Sequence, residues 1–83
     1  MSKQEIKLEY PIECSGQVRK SLTMRRPKLR DFEAVDNVIN DIEKSVRLIA
    51  NLTELSPDEV RELDMVDFRR VNEVLEGFLG QKS

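Results

Sequence analysis

The apolar residues of this chain change their period once, and Pro27 stands at the change. Before it, Ile6, Leu8 and Tyr10 alternate with Lys7 and Glu9, the period of a strand with one buried face. After it, Leu29, Phe32, Val35, Val38 or Ile39, Ile42, Val46 and Ile49 recur every three or four residues, as on a helix with one apolar stripe. Proline biases the residue before it away from the α region and is itself tolerated in a first helical turn, so Arg26 closes the extended part. The order is strand first and helix afterwards, which predicts an α+β fold.

In the extended part, Pro11 lacks an N–H and marks a strand end or an edge position, and Ser15-Gly16-Gln17 supplies a turn. Val18, Leu22 and Met24 follow on one face of a second strand, so residues 4–25 read as a β-hairpin whose apolar face is Ile6, Leu8, Tyr10, Val18, Leu22 and Met24. An isolated hairpin is marginal in water, and this face requires a cover. With 83 residues the chain has room for one domain, 1–83; the cover comes from the chain itself or from another chain, and the helical part, 28–79, is the available one, with a short tail at 80–83.

Within the helical part, Asn40 and Glu43 have capping-box spacing, which leaves two readings open: one helix from 28 to 53, or a break near residue 40. Ser56-Pro57-Asp58-Glu59 is a capping box with proline at the first helical position, predicting a short helix from Pro57 to about Leu63. Asp64 then caps a last helix, and Gly80 stops it. The hairpin is therefore expected to pack against three or four helices.

Several functions are excluded by what the chain lacks. There is no histidine and Cys14 is the only cysteine, so Ser-His-Asp triads, Cys-His dyads, ordinary Cys/His zinc sites and internal disulfides cannot be built. A solitary cysteine beside a turn fits a reducing compartment and needs no reactive role. No apolar run approaches a membrane span and the first residues lack the apolar core of a signal peptide, so a cytoplasmic protein without cofactor, metal or catalytic residue is expected.

Charge is unevenly placed. Residues 1–30 hold eight Lys/Arg and three Asp/Glu, net +5, whereas residues 31–83 hold six and thirteen, net −7. The cations Arg19, Lys20, Arg25, Arg26, Lys28 and Arg30 precede the first carboxylate of the helical part, Asp31. Such a cluster could displace counterions from phosphates, but no aromatic residue lies in it for base stacking and the remainder is acidic, so nucleic acid is an unfavoured partner. A solvated face accounts for the cluster without any partner, and where it meets one, a contact of Arg19, Arg25, Arg26 and Arg30 with an acidic surface is the better use of it. Asp58, Glu59, Glu62, Asp64 and Asp67 crowd within ten residues, yet their positions at helix starts predict capping and solvation, without the spacing of a calcium loop. On the last helix, Phe68, Val71 and Leu75 are expected to cover the hairpin, and Val74, Phe78 and Leu79 to face a partner.

The order of these pieces resembles the small tail assembly chaperones of contractile-tailed phages of the Mu and P2 type. The resemblance runs through Ile6-Lys7-Leu8-Glu9-Tyr10-Pro11-Ile12, then Leu22-Thr23-Met24-Arg25-Arg26-Pro27-Lys28-Leu29-Arg30-Asp31, Arg47-Leu48-Ile49-Ala50-Asn51-Leu52-Thr53-Glu54-Leu55-Ser56-Pro57-Asp58-Glu59-Val60, Leu63-Asp64-Met65-Val66-Asp67-Phe68 and Gly77-Phe78-Leu79. It implies a non-enzymatic protein that binds the long, aggregation-prone tape-measure protein in the host cytoplasm while the tail tube polymerises, and that is absent from the finished virion. It also implies that a C-terminally extended form of the same chain can arise by ribosomal frameshifting. Two other functions remain compatible with the residues alone: a small nucleic-acid-binding regulator using residues 19–30, and a structural homo-oligomer in which the basic hairpin of one copy meets the acidic helical half of the next.

Overall fold

A computed structural model describes residues 3–80. Strands β1 (Lys3–Cys14) and β2 (Gln17–Arg25) form an antiparallel hairpin, followed by helices α1 (Leu29–Ala34), α2 (Asp41–Thr53), α3 (Pro57–Arg61) and α4 (Met65–Phe78). This is the expected α+β architecture, with four helices. Most of the tail expected at 80–83 lies outside the described residues.

The hairpin closes through Ser15 and Gly16, at φ 53° and 79°, between the paired residues Cys14 and Gln17. Two positive φ values in a two-residue loop follow the right-handed twist of the strands, and asparagine adopts the first of them with less strain than serine. Ser15→Asn is expected to raise stability by about 0.5 kcal/mol in a urea titration.

Pairing is regular from Lys3↔Arg25 to Lys7↔Ser21 and resumes at Ile12↔Arg19, so the four residues Leu8–Pro11 stand opposite Lys20 alone. This bulge corrects the expected apolar face. Ile6, Leu8, Leu22 and Met24 are buried as expected, but Tyr10 lies in the bulge at 56% exposure and Val18, paired with Glu13, is 63% exposed. Ile12 and Cys14 fill the core in their place. Directly paired residues share a face, and the shift moves Val18 to the side opposite Ile12.

The two helical readings resolve as a break. Asn40 caps α2 by accepting from the Glu43 amide at 3.0 Å. The break divides the apolar stripe, so Val35, Val46 and Ile49 are buried whereas Leu29, Ile39 and Ile42 are exposed, against the expectation of one continuous core face. The Ser56–Glu59 box is reciprocal, at 3.2 and 2.9 Å, and Asp64 accepts from Val66 N–H at 2.9 Å. Val71 and Leu75 are buried beneath the hairpin while Phe68 is half-buried.

A bidentate ion pair ties the end of β2 to α1: Arg25 donates to Asp31 at 2.8 and 2.9 Å, and the same carboxylate accepts from Lys28 N–H at 2.7 Å. The Arg25 guanidinium holds the buried Asp31 carboxyl below its ordinary range, despite the opposing effect of burial. A carboxyl depressed in the folded state contributes stability that is present above the unfolded value, near 3.9, and is lost as pH falls through the folded one. Arg25→Met should therefore cost about 2 kcal/mol at neutral pH, allowing for the partial exposure of Arg25. The difference from wild type should vanish in strong acid, as checked by urea midpoints across pH.

Candidate functional site

Along one side of α4, Arg70, Glu73, Val74, Gly77 and Phe78 fall on successive turns, and they face Gln4–Lys7 of β1 across an open groove of about 690 Å³. The floor is apolar. Ile6 is buried beneath it, and Val74 and Phe78 are half-buried, packed on the core by one edge. Gly77 lines the groove without a side chain, and a Cβ there would meet nothing within 4 Å. Glu5, Lys7, Arg70 and Glu73 line the groove with both signs of charge.

The relation of α4 to β1 is fixed at the bulge. Glu9 and Tyr10 N–H groups donate to the two oxygens of Asp67, at 2.8 and 2.9 Å, and Asp67 is wholly buried. Pro11 has no N–H to satisfy, and the first turn of α4 favours an anion, so strand and helix meet at one carboxylate. Arg70 lies 3.9 Å away as a further cation. Asp67 is thus neither solvated nor a cap, contrary to the sequence expectation. The clue was available: Asp67, Val71 and Leu75 are four residues apart, which places an acid on the buried stripe of α4.

Of the residues expected to face a partner, Val74 and Phe78 meet in the groove, and Leu79 lies beyond the helix end at 39% exposure. The four arginines separate. Arg26 lies over the Phe78 ring, 5.6 Å from its centroid, in cation–π range. Arg25 is held by Asp31, Arg30 is exposed on α1, and Arg19 lies near Cys14 and Glu59. Burial pushes the Cys14 thiol up, Glu59 adds to this and Arg19 opposes it, so the thiol is poorly nucleophilic. Sequence reasoning also missed an apolar surface at the other end of α4, where Met65 and Val66 are 63% and 48% exposed. No group of His, Cys, Asp and Glu side chains among the described residues could hold a metal ion. No helix among them is long and apolar enough to cross a membrane.

Residues 5–80, which include the whole groove and the Asp67 junction, match the family described as phage tail assembly chaperone proteins, E, or 41 or 14. The chain belongs to this family. Membership gives it a role in phage tail assembly, with a tail protein as the kind of partner it meets. No curated protein and no solved structure matches it.

Proposed function

We propose that the chain is a non-enzymatic holdase for the tape-measure protein, gripping an amphipathic segment of it in the β1–α4 groove. The action takes place in the host cytoplasm, while the tube forms, and the chain leaves before the virion is complete. One observation carries this reading: Val74 and Phe78 rest on the core, stay only half-buried, and line the β1–α4 groove beside Gly77, which adds no side chain to it. A client residue seated there removes apolar surface from water on both sides, at roughly 25 cal/mol per Å². The flanking charges of both signs give the client orientation more than affinity. Cofactor and nucleophile have no place in such a role.

The arrangement of the cations weighs against a nucleic-acid regulator. Arg25 is paired and Arg26 is stacked on Phe78, so the cluster does not offer one continuous basic face. Co-expression tests the reading. Tape-measure protein made with the chain should stay soluble and co-purify with it, while tape-measure protein made alone should sediment. Equal solubility with and without the chain would sink the proposal.

A further inference from the structure

A second, smaller groove, of about 160 Å³, lies where the starts of α2 and α4 meet α3, with Ile42, Met65 and Phe68 over the buried Val46 and Val60. Ile42 and Met65 are 69% and 63% exposed, too much apolar surface at one place to be explained by the fold of this chain. Its surroundings are acidic. Asp41, Glu62 and Asp64 adjoin the lining residues in sequence and are exposed; of the cations there, Arg61 is taken by Glu43 and Asp58 at 2.8 and 2.9 Å and Arg47 by Glu43 at 2.7 Å, which leaves Arg69 beside Phe68 against the three acids.

The complement of this surface is on the same molecule. Leu29 projects from the start of α1 at 76% exposure, between the exposed cations Lys28 and Arg30. The nearest carboxylate in sequence, Asp31, is committed to Arg25. This basic end also lies at the opposite ends of α2 and α4 from the groove. Arg25 reaches the Asn51 carbonyl in the last turns of α2, and Arg26 lies over Phe78, the last residue of α4, whereas Ile42 and Met65 stand at the starts of those helices. At 1.5 Å per residue the separation is about 13 Å along α2 and about 20 Å along α4. Carboxylates at the starts of α2 and α4, and Arg25 and Arg26 at their ends, suit those two helix dipoles and leave the molecule with a negative apolar end and a positive apolar end.

We propose that copies of this chain associate head to tail, Leu29 of one copy seated in the Ile42–Met65–Phe68 groove of the next, with Lys28 and Arg30 against Asp41, Glu62 and Asp64. A two-fold contact of groove with groove would set acid against acid; the head-to-tail contact pairs opposite charges, and it is open-ended unless its rotation closes a ring. The contact is independent of the β1–α4 groove, which uses other residues.

Sedimentation velocity of the full chain over a concentration series tests it. Wild type is expected to sediment faster with concentration without stopping at a dimer. It should return toward the monomer as salt rises from about 0.01 M to about 1 M, where the screening length falls from about 30 Å to about 3 Å. Leu29→Asp and Met65→Asp each replace an exposed residue at a first helical position, where aspartate is tolerated, so both should stay folded by circular dichroism. Each alone should associate at least about tenfold more weakly, a loss of about 1.4 kcal/mol. Mixed in equal amounts they should form a dimer and nothing larger, because one intact groove then meets one intact Leu29. A wild type that stays monomeric at every concentration and salt, a Leu29→Asp variant that still dimerises by itself, or a mixture that forms no dimer would each overturn the proposal.

Discussion

Replacing Asp67 with alanine is expected to lower the stability of the domain by about 3 kcal/mol, the largest loss from any single side chain outside the apolar core. The substitution removes two charge-assisted hydrogen bonds and leaves the Glu9 and Tyr10 N–H groups without an acceptor in a partly buried place. A domain of this size has only about 4 to 12 kcal/mol in all, so the melting temperature should fall by roughly 15 °C or more. Asp67→Asn keeps the shape and one acceptor, and should lose about half as much. Thermal unfolding of both variants checks the order. If Asp67→Ala melted within a few degrees of wild type, the carboxylate would not be what joins β1 to α4.

The second large effect is on binding and leaves the fold intact. Gly77→Gln adds a side chain to a residue that lines the β1–α4 groove, at a place where its Cβ meets no neighbour within 4 Å. It also replaces a helical glycine, so stability should be unchanged or up to about 0.5 kcal/mol higher. Capture of tape-measure segments should nevertheless fall at least about tenfold, or about 1.4 kcal/mol, because the client has lost its seat. Phe78→Asp with Leu79→Asp should abolish capture as well, but Phe78 rests on the core and beneath Arg26, so that variant should also lose stability. Binding measured beside unfolding therefore separates the two. Gly77→Gln binding as well as wild type would remove the groove from the mechanism.

Much of the fold was legible because its signals are local. The change of period at Pro27, the Ser56–Glu59 box, the Asp64 cap and the turn at Gly16 each act within four residues, and the structure follows them all. Asn40 was legible as a cap but not as a decision, since an amphipathic stripe runs on in sequence whether or not the helix does. The bulge was not legible. Four residues opposite one is a property of two strands together, and it is stabilised by an aspartate 57 and 58 residues away from the amides it accepts. Tyr10 and Val18 were misplaced for that reason. Amphipathicity picked Val74 and Phe78 on the last helix, and both line the groove. It could not find the wall that β1 supplies, nor the value of Gly77, because a missing side chain carries no period.

The proposed action is the grip of a tail-protein client between β1 and α4. Labelled chain titrated with overlapping tape-measure segments, and followed through its backbone amide resonances, tests this directly. A binding segment should shift the amides of Gln4–Lys7 and Arg70–Phe78 together, at one affinity, and Gly77→Gln should remove those shifts. Segments that bind while moving resonances only elsewhere, or the failure of every segment to bind, would contradict it.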